Sequence, residues 1–159
     1  MSESTTAKKI IFIPCSGAGY NGELARQAAI QLTENSPIAD RSLMLCFTIF
    51  LRYGLLKEDQ SFKNMSDYLK SSFIVIIDGC SGGCALKILK KFDIKPDLVI
   101  NLNKLIPKKI LDINAIQNQC DIPRLSNIKK EDLEKVSNFI IDQLKEKKLL
   151  KPIEKSMKK

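Results

Sequence analysis

The chain reads as an α/β protein, a three-layer sandwich around a mainly parallel sheet of four or five strands, of the flavodoxin- or Rossmann-like kind. Two observations predict it. Apolar runs such as Ile10-Ile11-Phe12-Ile13 and Phe73 to Ile77 are continuous rather than alternating, which is the pattern of strands buried on both faces. Segments with apolar residues at helical spacing lie between them, and strands that alternate with amphipathic helices imply parallel pairing through right-handed crossovers.

The elements follow in order. A first strand covers about residues 8–14. From Gly22 to Glu34 the residues Leu24, Ala25, Ala28, Ala29 and Leu32 recur on one helical face, and Asn35-Ser36-Pro37 ends that helix. Ser42 to Cys46 is predicted as a second strand, opening an uncharged run to Leu51 that continues as strand, loop or helix. A helix over 61–70 leads to a third strand at 73–77. The next helix, Gly83 to Phe92, turns Ala85, Leu86, Ile88, Leu89 and Phe92 inward. Pro96 precedes a fourth strand, Leu98 to Leu102, residues 104–127 carry no readable period, and 129–148 predicts a helix with Leu133, Val136, Ile140 and Leu144 along one face.

A length of 159 residues suits one domain with a sizeable core. The expected division is a flexible N-terminus at 1–7, a single α/β metal-binding domain at 8–150 and a basic C-terminal tail at 151–159. The first residues are polar, with no signal-peptide core, and no apolar run reaches the roughly 20 residues of a membrane helix. A cytoplasmic location without a membrane partner is therefore expected. The net charge of +8 is concentrated at the end, where residues 144–159 hold seven lysines against Glu146 and Glu154. With no aromatic residue there to stack on bases, the tail reads as a solvated appendage and nucleic acid is disfavoured as a partner.

Five cysteines and no histidine define the chemistry. The absence of imidazole removes Ser-His-Asp and Cys-His catalysis and every histidine-bound zinc site. In a reducing compartment, cysteines point to metal or thiol chemistry rather than to structural disulfides. Two strand ends deliver three of them, as Pro14-Cys15-Ser16-Gly17-Ala18-Gly19 and as Asp78-Gly79-Cys80-Ser81-Gly82-Gly83-Cys84. Each precedes a helix, whose N-terminus favours anions and hence the thiolate that binds metal or attacks. If the third strand lies beside the first, Cys15 and Cys80 end on neighbouring strands about 5 Å apart, and the second strand brings Cys46 to the same edge. Zinc takes four thiolates at about 2.3 Å. The C-x-x-x-C of Cys80 and Cys84 has a suitable spacer, and Cys15 and Cys46 complete the set. Any one of these cysteines has a plain alternative as a small buried hydrophobe, and Cys120 is read that way. Asp78 either hydrogen-bonds a thiol or metal-bound water, or accepts backbone N–H groups of the turn that follows it. Ser16 and Ser81 read as helix caps.

These loops also carry a family resemblance. Cys15-Ser16-Gly17-Ala18-Gly19 with Gly22-Glu23-Leu24-Ala25, a central Cys46, and Ile77-Asp78-Gly79-Cys80 with Cys84-Ala85 resemble the DGC-domain family, named for its central Asp-Gly-Cys. The resemblance spans roughly residues 9–103. It implies a zinc site with Cys15, Cys46, Cys80 and Cys84 as ligands, without a settled activity, and it says nothing of Cys120 or of the segment from Lys104 onward. A closed four-thiolate site leaves no vacant position for substrate, which favours metal handling or a structural zinc.

Enzyme motifs fit less well. A cysteine phosphatase loop needs arginine at the sixth position after its cysteine, where this chain has Asn21. Gly17-Ala18-Gly19 with Gly22 imitates a dinucleotide fingerprint, but the acidic ribose contact falls only at Asp40, before the second strand. The Gly-Lys-Ser/Thr of a nucleotide-binding loop is missing, and the cysteine spacing lacks the short runs of ferredoxins, which places an iron–sulfur cluster behind zinc. The alternative kept open is a thiol-based redox or sulfur-transfer enzyme in which Cys80 and Cys84 act together and Cys15 is the nucleophile.

Overall fold

The computed structural model describes residues 8–15, 17, 19–46, 48–50, 60–107 and 128–150. Ser16, Cys120, the proposed N-terminal segment 1–7 and the basic tail 151–159 lie outside the described residues, as does most of the unreadable stretch 104–127. In chain order the elements are β1 (Ile10–Pro14), α1 (Tyr20–Glu34), a 3-10 turn (Ala39–Arg41), β2 (Ser42–Met44), α2 (Gln60–Ser71), β3 (Phe73–Asp78), α3 (Cys84–Lys91), β4 (Leu98–Asn101), α4 (Leu102–Leu105) and α5 (Lys130–Glu146).

The described sheet has four strands in the order β2-β1-β3-β4, with every pair parallel. Its centre is β1 against β3, matched from Ile10 opposite Phe73 to Pro14 opposite Ile77. Both central strands are buried along their whole length, as their continuous apolar sequence requires. Alternation splits them between two cores. Ile10, Phe12, Phe73, Val75 and Ile77 join Leu24, Ala28, Val136, Ile140 and Leu144 from α1 and α5 on one face. Ile11, Ile13, Ile74 and Ile76 join Leu69, Ala85 and Leu89 from α2 and α3, with Phe50, on the other. The three layers of the predicted sandwich are these two helical layers and the sheet between them.

Because chain order reverses between β1 and β3, right-handed crossovers send α1 and α3 to opposite faces, which is where the two cores place them. Such a reversal leaves a crevice at the carboxyl ends of the two central strands, the usual ligand position in open parallel sheets. Asp97 reinforces the other end. Its carboxylate accepts the Ile74 N–H at 2.8 Å, and its own N–H donates to the Ile74 carbonyl at 2.9 Å.

Several boundaries differ from the sequence expectation. The second strand ends at Met44 rather than Cys46, and residues 48–50 are already helical. Among the described strands it pairs with β1 alone, and its ladder ends where the Leu45 N–H donates to the Phe12 carbonyl at 2.9 Å. Leu102, expected at the end of the fourth strand, is instead the first residue of α4, whose N-cap is Asn101. The first helix starts at Tyr20, a turn before the amphipathic stripe becomes visible, and Gly22 lies inside it. Among the described residues no helix is long and apolar enough to cross a membrane.

Candidate functional site

The carboxyl edge of the sheet carries the four cysteines of interest. Cys15 follows β1 directly, and its N–H donates to the Ile77 carbonyl at 2.8 Å, extending the β1–β3 ladder by one residue. Its sulfur is buried against the α1 and α5 core and accepts a hydrogen bond from the Gly17 N–H at 3.3 Å. Cys80 and Cys84 sit in the loop after β3 and at the first position of α3, and both are exposed. Cys46 lies two residues past β2, also exposed, with its sulfur 2.9 Å from the Thr48 hydroxyl. Strand order therefore brings the loops of Cys46, Cys15 and Cys80 side by side on one edge.

Cys80 and Cys84 face a common space. A Cβ built on Gly82 would lie 3.3 Å from the Cys80 sulfur and 3.8 Å from the Cys84 sulfur. Glycine thus leaves open a small cradle between two thiols. Among the described residues, however, no three Cys, Asp or Glu side chains are gathered closely enough to hold one ion. The four thiols share an edge without a common centre.

The two cysteine loops are joined by their backbones. A Cβ on Gly79 would come within 2.7 Å of the Gly22 nitrogen and 2.8 Å of the Asn21 carbonyl carbon. On Gly22 it would overlap the carbonyl of Gly17. Real side chains do not tolerate such approaches to backbone, so glycine at 22 and 79 is what lets the first turn of α1 press on both loops. Gly83 meets a different demand. It adopts φ +59°, in the left-handed region, as the N-cap of α3, a position where Ser81 had been expected to act.

Asp78, at the end of β3, is buried, and its carboxylate accepts the Ala85 N–H at 3.3 Å in the first turn of α3. Burial pushes its pKa up, and the N–H groups of Ala85 and Leu86 pull it partly back. The carboxylate thereby fixes the start of the helix that carries Cys84. Directly across the β3–β4 ladder stands Asn101. Its amide donates to the Cys80 carbonyl at 3.0 Å and its side-chain oxygen accepts the Asn103 N–H at 3.0 Å.

Sequence reasoning passed over three residues here. Asn21 is buried and donates to the Ile106 carbonyl at 3.0 Å, while its Oδ1 has no hydrogen-bond partner among the described residues. Tyr20 donates to Asp132 at 2.6 Å and accepts the Lys129 N–H at 3.0 Å, tying the start of α1 to α5. Burial, then the bond to Asp132, raises the pKa of its hydroxyl. Asn101 is the third. Its signal was present as Asn-x-Asn after an apolar strand, the spacing of a side-chain cap on the second following N–H.

No curated protein and no solved structure matches the chain. The family profile described as the DGC domain matches residues 11–140, a span that contains both cysteine loops, the Asp78-Gly79-Cys80 motif and most of α5, and the chain belongs to the DGC-domain family.

Proposed function

We propose that the protein binds zinc through Cys15, Cys46, Cys80 and Cys84 at the carboxyl edge of its sheet, as a structural zinc or in metal handling. One observation carries the reading: the order β2-β1-β3-β4 sets the three cysteine-bearing loops next to one another. The donor set suits the ion. Four thiols with no imidazole form a ligand set that zinc accepts, and Cys80 and Cys84 both border the space beside Gly82. Zinc held by these four thiolates would cross-link loops whose described backbone contact runs through Gly22 and Gly79. Binding would draw the exposed thiols toward buried Cys15, and its free energy would add to that of folding. The chain's own contribution is to hold Cys15 in place through the Gly17 N–H and to hold the start of α3 through Asp78.

A second reading is a thiol-based redox or sulfur-transfer enzyme using Cys15, Cys80 and Cys84. It is favoured by the pairing of Cys80 and Cys84 around Gly82, beside a third thiol whose sulfur already accepts a backbone N–H. The test is metal content of protein purified without metal-affinity resin, measured with free-thiol titration. Near-stoichiometric zinc with shielded thiols supports the first reading. Absence of metal, with a reactive or disulfide-linked Cys80–Cys84 pair, supports the second.

A further inference from the structure

We propose that Asn101 is a positioning residue for the cysteine edge, its side-chain amide setting where the Cys80 loop stands relative to Cys15. The hydrogen bonds require this residue type. The Cys80 carbonyl can only accept and the Asn103 N–H can only donate, so the side chain between them must carry one donor and one acceptor. Aspartate lacks the donor, serine is too short to span both partners, and glutamine shifts the amide by a methylene. Asn101 is in turn fixed by its pairing opposite Asp78 in the β3–β4 ladder.

The contact continues to the other loop. Asn101 caps α4, in which the Ile106 N–H closes on the Leu102 carbonyl at 2.7 Å. The carbonyl of Ile106 accepts the buried amide of Asn21 at 3.0 Å. Asn21 and Gly22 press on Gly79, the residue before Cys80. The path is closed: Cys80 to Asn101, through α4 to Asn21, and back to Gly79. The loop carrying the exposed thiols is thus held on two sides, by a backbone contact at Gly79 and by the Asn101 amide at Cys80. Only the second hold depends on a side chain. Its consequence for metal affinity rests on the four-cysteine reading, whereas its consequence for thiol exposure does not.

The test separates the cap from the hold. Asn101→Asp keeps an oxygen for the Asn103 N–H, and aspartate caps helices as well as asparagine does, but it removes the donor to Cys80. Cobalt(II) titrated into metal-free, full-length protein is expected to bind the variant about tenfold more weakly than wild type, the usual effect of removing a group that orients a metal ligand. The melting temperature of the metal-free variant is expected to match wild type. In metal-free protein, alkylation by iodoacetamide is expected to speed up at Cys80 and stay constant at Cys15. Asn101→Ala, which loses cap and hold together, is expected to lower both cobalt affinity and melting temperature. Equal cobalt affinity and equal Cys80 alkylation in wild type and Asn101→Asp overturn the proposal. If wild type takes up no cobalt, the metal reading fails, and the alkylation rates alone decide the role of Asn101.

Discussion

The loops after β1 and β3 begin alike, each as an apolar strand running into glycines and cysteine, yet they end up as opposites. The β1 loop hides its thiol: Cys15 is 6% exposed and hydrogen-bonded by its own loop. The β3 loop displays its thiols, and the carboxylate buried beside them, Asp78, is spent on the start of α3. Cys15 therefore contributes to the core whether or not an ion is present, while Cys80 and Cys84 have little structural work until something binds them. A cysteine motif in sequence does not distinguish these cases. Burial does.

The contact that makes the two loops one unit is the first place to break the comparison. Gly79→Ala places a methyl group against backbone atoms of Asn21 and Gly22, which cannot rotate away. It is expected to destabilise by about 3 kcal/mol, at the upper end of overpacking costs, when measured by urea unfolding. Gly19→Ala is the matched control, because nothing lies within 4 Å of its Cβ and its φ is −87°. It is expected to stay within about 0.5 kcal/mol of wild type. Equal losses in the two variants would show that the loops are not pressed together.

Removing the sulfurs one at a time sharpens the difference. In metal-free protein Cys15→Ala is expected to cost about 2 kcal/mol, because it leaves a cavity in a core, whereas Cys80→Ala and Cys84→Ala should cost less than about 0.5 kcal/mol as exposed positions. In zinc-loaded protein all three are expected to lower both metal retention and melting temperature, since binding free energy is then part of folding free energy. Cys120→Ser is expected to change neither. A loaded protein in which Cys80→Ala behaves like Cys120→Ser would count against the ligand assignment.

Tyr20 anchors the β1 side to α5, and Tyr20→Phe is expected to cost about 1–2 kcal/mol through the lost bonds to Asp132 and Lys129. The pH dependence has a defined sign. The folded state raises the tyrosine pKa, so this stabilisation is complete below the unfolded value of about 10 and is lost as pH rises through the higher folded value. Melting temperatures recorded from neutral to alkaline pH should fall more steeply for wild type than for Tyr20→Phe. Parallel curves would remove Tyr20 from the account. The smallest effect belongs to the C-terminus. Truncation after Leu150 keeps the Arg41 bond to the Leu149 carbonyl and the packing of Leu149 and Leu150, so metal content, thiol reactivity and stability are expected to stay as in wild type. Nucleic-acid binding that falls steeply with salt and disappears on truncation would assign the tail a role of its own.

The central sheet was legible because nothing competes with the pattern there. Ile10 to Ile13 and Phe73 to Ile77 are apolar at consecutive positions, and only a strand covered on both faces uses such a run fully. Once these two strands are neighbours, the shared edge of Cys15, Cys46 and Cys80 follows from topology. Edges were less legible. Met44 and Leu102 sit in apolar stretches that could continue as strand, and what stops them is tertiary: a second strand with one partner among the described strands, and an asparagine that caps a helix instead of extending a ladder. The backbone joint was hidden for another reason. Gly22 and Gly79 are far apart in sequence, and each looks like an ordinary loop or helix glycine until the other is known.

The position of the cysteine edge also constrains how it can form. Cys15 and the Cys80–Cys84 pair belong to windings of opposite direction, β1 through β2 and β3 through β4, that meet only where β3 lies beside β1. A chain with only its first winding assembled has Cys15 and Cys46 but no partner strand on that side. Such non-local parallel pairing is slow, because the intervening chain must be closed before contacts reward it. The edge therefore comes into existence in one event, the docking of β3, and protection of the buried Cys15 thiol during refolding is a clock for that event rather than for secondary structure.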